Sequence, residues 1–117
     1  MPESDRELLE MAAKAAGMEY RWEQPRGAKQ PPWLRARLPH DGDAFPVWNP
    51  LTDDGDAFRP AVKLQFALSI EHRVTLVHNG NGVYEEQAQD FGGDPYAATR
   101  RAIVRAAASL SKESPHA

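Results

Sequence analysis

The four residues Asn79-Gly80-Asn81-Gly82 separate two short runs of alternating apolar and polar residues, and they constrain the fold more than any other segment. Asn and Gly tolerate positive φ, which a tight connection between antiparallel strands demands. The flanking runs are therefore predicted to pair as a hairpin, with Val83 to Ala88 as the returning strand. Upstream, Phe66, Leu68, Ile70, Val74 and Leu76 keep a two-residue period broken only by His72. That pattern predicts two strands with a tight turn or bulge near Glu71 to Arg73.

The earlier half shows the same punctuation. Met18, Tyr20 and Trp22 alternate with Glu19, Arg21 and Glu23, and Leu34, Ala36 and Leu38 alternate with Arg35 and Arg37. Two further strands follow from that period, separated by the loop-forming run Pro25 to Pro32. A short extended piece is expected at Phe45 to Trp48.

Helices are marked by their ends. Ser4-Asp5-Arg6-Glu7 has the form of a capping box, Leu8, Met11, Ala12 and Ala15 follow at helical spacing, and Gly17 stands where a left-handed cap belongs. A helix over about Asp5 to Ala16 is predicted. Asp94 and Pro95 similarly open a final helix, with Tyr96, Thr99, Ala102, Ile103, Ala106 and Leu110 on one side. A middle helix is expected after Thr52 as cap. Pro60 lies inside it, so it is expected to kink or to restart as a second short turn there.

The order α-β-β-(α)-β-β-β-α predicts an α+β fold, a small antiparallel sheet with the N- and C-terminal helices packed on one face. A chain of 117 residues suits one domain, here residues 3–110 with a flexible tail over 111–117. No apolar run approaches the roughly 20 residues of a membrane helix, and the first residues lack the pattern of a signal peptide. A cytoplasmic protein is the expectation.

Catalytic and metal chemistry find little support. With no cysteine, disulfides, iron–sulfur clusters and thiolate zinc sites are excluded. The pentapeptide Asp-Gly-Asp-Ala-Phe occurs at Asp41 to Phe45 and again at Asp54 to Phe58, but neither copy supplies the ligand spacing of a calcium loop. His72 and His78 on one strand would stand about 20 Å apart, too far to share an ion. None of the serines sits in a G-x-S-x-G elbow, and no glycine run precedes a Lys-Ser/Thr pair. Adjacent Glu85 and Glu86 point to opposite faces of a strand. No metal, cofactor or enzymatic activity is expected.

Charge is segregated along the chain although the net charge is only −3. Six basic and two acidic residues lie between Lys14 and Arg37. Five aspartates and no base lie between Asp41 and Phe58, and four acids and no base between Glu85 and Asp94. Such a pattern suits a bipolar surface for a charged partner. Arg100, Arg101 and Arg105 on the last helix offer an alternative. An α-β-β-β-α order ending in a basic helix is similar to double-stranded-RNA-binding domains, which would make these arginines phosphate contacts. The acidic stretch before the helix departs from that family.

Two segments are distinctive as runs: Trp48-Asn49-Pro50-Leu51-Thr52-Asp53-Asp54-Gly55-Asp56-Ala57-Phe58-Arg59, continued by Ala61 to Leu64, and Asp94 to Ala108. Together with the opening helix Leu8 to Gly17 they resemble a family of small hypothetical proteins from bacteriophages and prophages, near the NinX-like group. Pro60 departs from that pattern, which carries leucine there. The resemblance implies a phage origin and no particular activity. An accessory protein acting by binding a host or phage protein is therefore the expectation. Trp48, Asp53, Asp54, Asp56, Glu85 and Glu86 are the candidate contacts, and nucleic-acid binding through Arg100, Arg101 and Arg105 is the alternative.

Overall fold

A computed structural model of the chain describes residues 4–24, 26, 32–40 and 42–113. Helix α1 (Asp5–Ala15) begins where Ser4 Oγ accepts from the Glu7 amide at 3.2 Å and donates to the Glu7 carboxylate. It ends in a left-handed turn at Gly17, φ 73°, where the Gly17 and Met18 amides bond back to the Lys14 and Ala13 carbonyls. That closing pattern satisfies carbonyls the helix itself leaves free.

Strands β1 (Glu19–Glu23) and β2 (Trp33–Arg37) pair antiparallel, with Tyr20 opposite Ala36 and Trp22 opposite Leu34. The extended piece expected at Phe45 to Trp48 docks on the other edge of β2 as a single bridge. There the Ala36 amide donates to Pro46 and the Trp48 amide to Leu34.

Helix α2 (Asp54–Lys63) is capped by Asp53, whose carboxylate accepts from the Asp56 amide at 2.8 Å. The cap expected at Thr52 is displaced by one residue. Asn49 organises the preceding turn, accepting from the Leu51 amide with its side chain and from the Thr52 and Asp53 amides with its carbonyl. Thr52 is thereby spent in the turn. Pro60 neither breaks the helix nor restarts it, because α2 runs through it to Lys63. The ring is buried, so packing offsets the missing hydrogen bond.

Strands β3 (Ala67–Glu71), β4 (Val74–His78) and β5 (Val83–Gln87) form an antiparallel meander in that order. The β3–β4 turn consists of His72 and Arg73 alone, both at positive φ (47° and 65°). A 3₁₀ turn (Ala88–Phe91) leads to helix α3 (Pro95–Glu113), whose first amides are capped by Asp94. The helix extends past Ser111, where the tail was expected to start, and residues 114–117 lie outside the described residues.

The fold is α+β, with three helices and two small antiparallel sheets rather than one. Helix α3 lies between them. Val104, Ala107 and Ala108 pack with α1 (Leu8, Leu9, Ala12, Ala13), with Leu34 and Ala36 of β2, and with Trp48. Ala102, Ile103 and Ala106 pack instead with Ala57 and Ala61 of α2 and with Val77 of β4. Alanine on both sides of α3 lets neighbouring backbones approach closely, so a chain this short can surround one helix.

Candidate functional site: an open sheet edge beside an apolar groove

Most of the charged residues singled out in the sequence are joined to one another in the structure. Asp53 caps α2, Asp54 binds Arg100 at 2.6 Å, and Asp56 accepts from the Asn49 amide and from Arg59. Arg100 also donates to the Leu51 carbonyl at 2.8 Å. Arg101 holds Asp5 of α1. Arg105 holds Glu86 and the Glu85 carbonyl while lying over the Tyr84 ring. Each arginine of the last helix thus fastens α3 to a different element. Glu85 is exposed and accepts from Gln87.

Trp48 is 4% exposed and belongs to the core beside α1 and β2. Its burial corrects the expectation of Trp48 as a binding contact. Asp54 pairs with Arg100 and Glu86 with Arg105, so part of the segregated charge meets within the fold, while Asp53 and Glu85 stay exposed. Among the described residues, no group of three or more His, Asp or Glu is placed to hold a metal ion. No helix there is long and apolar enough to cross a membrane.

What stands open is strand β3. All five of its residues are exposed, although Leu68 and Ile70 lie on the side of the sheet that faces the helices. They share that side with Thr75 and Val77 of β4, their ladder partners, which α3 buries completely. The Thr75 hydroxyl meets that of Thr99 on α3 at 2.8 Å. Helix α3 therefore covers β4 and β5 but stops short of β3, and α2 stands off beyond it. Between them runs an apolar groove of about 630 Å³, lined by Phe58 of α2, Leu68 and Ile70 of β3, Tyr96 and Ile103 of α3, and the Asp54–Arg100 pair. Phe58 (62% exposed), Ile70 (55%) and Tyr96 (67%) leave much of their surface in water.

The two edges of this sheet are treated differently. Strand β5 carries Glu85, Glu86 and Gln87, polar residues of the kind that discourage further strand pairing. Strand β3 reads Ala-Leu-Ser-Ile-Glu, with no proline or lysine and a single charge at its end. Its outward backbone groups can be identified. The Asn79 amide donates to Gly82 and the Ala88 amide to Arg73, so the odd-numbered residues of β4 bond to β5 and the even-numbered ones to β3. In β3, Ala67, Ser69 and Glu71 consequently bond to β4. The N–H and C=O groups of Leu68 and Ile70 point outward.

A smaller cavity of about 210 Å³ lies between β2 and α2, with Trp48 and Met18 in its walls and Arg37, Arg59 and Lys63 at its margin. These cations are engaged already: Arg37 with Glu19 and the Gly42 carbonyl, Arg59 with Asp56, and Lys63 with the Ala16 carbonyl.

Sequence reasoning found Leu68 and Ile70 as strand residues but assigned them no role, because periodicity marks an apolar face without saying whether anything covers it. The charge of the two edges was the available signal. No protein-family model, curated protein or solved structure matches this chain.

Proposed function

We propose that this chain is a protein-binding module, a phage-derived accessory protein as its resemblance implies, whose docking face is β3 with the adjoining groove. One observation carries the reading: a five-residue strand bearing Leu68 and Ile70 is exposed throughout, at the edge of a sheet and beside an uncovered apolar groove. An open edge offers main-chain hydrogen bonds, and the groove offers apolar contact for alternate side chains of an added strand. Contiguous exposed apolar surface rimmed by polar groups marks such interaction sites. The nucleic-acid alternative is the weaker reading, since Arg100, Arg101 and Arg105 each hold a carboxylate that a phosphate would have to replace.

The test is capture from bacterial lysate on immobilised protein, with and without nuclease, comparing the wild type with Ile70→Lys. With the chain immobilised sparsely, so that its β3 edges stay unpaired, the expected result is protein retained by the wild type in both arms and lost from the variant. Retention that vanishes with nuclease, or that Ile70→Lys leaves untouched, would remove β3 as the docking face.

A further inference from the structure

We infer that the occupant of the β3 edge is a second copy of this chain, the two β3 strands pairing antiparallel about a two-fold axis at Ser69. The inference rests on the reading of β3 as a docking face and names its partner.

Three features of β3 favour its own copy. The first is hydrogen-bond parity. Only Leu68 and Ile70 direct their amides and carbonyls outward, so a pairing must set even-numbered residues against even-numbered ones. Centring on Ser69 does so with all five residues overlapped: Leu68 faces Ile70 of the partner subunit and Ile70 faces Leu68 of the partner subunit. Each pair exchanges two N–H···O=C bonds. Shifting the axis by half a residue would pair outward groups with inward ones and make none.

The second feature is the face. Leu68 and Ile70 lie on the groove side in both copies, so the four side chains form one apolar row along the seam, flanked by Phe58 of each copy. Direct apolar cross-strand neighbours of this kind stabilise paired strands.

The third is charge. Glu71, the only charged residue of β3, falls opposite Ala67 of the partner subunit and not opposite its own symmetry mate. The ladder neighbour of Ala67 is His78, so the carboxylate reaches over a small residue toward an imidazole. No like charges meet across the seam. The product is a continuous six-stranded antiparallel sheet in which the undefended edge is gone and both outer edges are β5, with its glutamates.

A two-fold interface is isologous and requires a self-complementary patch, and this register makes β3 one. Because the chain has no cysteine, the axis can be tested with single substitutions. Ser69→Cys places the two thiols directly across a non-hydrogen-bonded pair, with Cα atoms about 4.5 Å apart, within disulfide reach. Ala67→Cys places its two thiols at opposite ends of the seam. Under mild oxidation of dilute protein, Ser69→Cys is expected to cross-link to a dimer and Ala67→Cys alone is not. An equimolar mixture of Ala67→Cys with Glu71→Cys is expected to cross-link.

Sedimentation equilibrium of the wild type should give twice the monomer mass. Ile70→Lys, with its fold checked by circular dichroism, should weaken self-association by about 100-fold or more, since it sets a charge in the apolar row. A wild type that stays monomeric at 100 µM (about a thousandfold above a tight dimer's midpoint) overturns the inference, as does cross-linking of Ala67→Cys in preference to Ser69→Cys. If that monomer still retains a lysate protein that Ile70→Lys loses, the docking face stands with another occupant. If it retains nothing, the docking face falls as well.

Discussion

The Asn79 side chain closes a turn and fastens it to a helix. Its carbonyl oxygen accepts from the Asn81 and Gly82 amides, both at 2.8 Å, and its amide nitrogen donates to the Ala106 carbonyl and to Ser109 Oγ. Aspartate in its place would keep the turn and lose both donors, setting a carboxylate against a helix carbonyl. Asn79→Asp is expected to cost about 2 kcal/mol, an unsatisfied buried group plus a repulsive contact. Urea denaturation measures it, and a loss below about 0.5 kcal/mol would deny the side chain this fastening role. In the sequence, Asn79-Gly80-Asn81-Gly82 announced a turn through its tolerance of positive φ. That one of these asparagines also reaches α3, 27 residues further on, has no local signature. The arginines behave the same way: their spacing said only that they lie on a helix, while their partners come from α2, α1 and β5.

Element ends were largely legible, because caps and turns are satisfied by residues within four or five positions. Ser4, Gly17 and Asp94 act where their sequence context placed them. The missed details arose where ordinary residues take special conformations. Helix α2 ends in the same closing pattern as α1, with the Gln65 and Phe66 amides bonded to the Val62 and Ala61 carbonyls. The left-handed position is Gln65, φ 60°, where α1 has glycine. The β3–β4 turn likewise holds His72 and Arg73 at positive φ, where Asn-Gly is the favoured pair. A left-handed non-glycine residue costs about 1 kcal/mol or somewhat more. Replacing His72-Arg73 by Asn-Gly, or Gln65 by Gly, is therefore expected to raise stability by about 0.5–1 kcal/mol each. Thermal and urea unfolding of the three proteins check this. A fall in stability would mean that the side chains at these positions contribute more than the backbone strain costs.

At the scale of the whole molecule, α3 contacts both sheets and both other helices, and its buried alanines have no room for growth. Ala106 is fully buried where α3 meets α2 and β4. Ala106→Leu is expected to destabilise by about 2 kcal/mol through overpacking. Because one helix joins the two clusters, tryptophan fluorescence and far-ultraviolet circular dichroism should report a single shared transition in wild type and variant. Separate transitions would show that the α1–β1–β2 cluster and the β3–β5 meander fold independently. The sequence by itself determined the fold class, the order of the elements, most of their ends and the antiparallel pairing across the Asn79 to Gly82 turn, because these depend on period, caps and turns acting over a few residues. Only the tertiary structure decided that the strands divide into two sheets, that Trp48 is buried, that segregated charges meet as ion pairs, and that β3 is left uncovered. Those outcomes depend on which surfaces a helix reaches across long stretches of chain, and no local pattern encodes that.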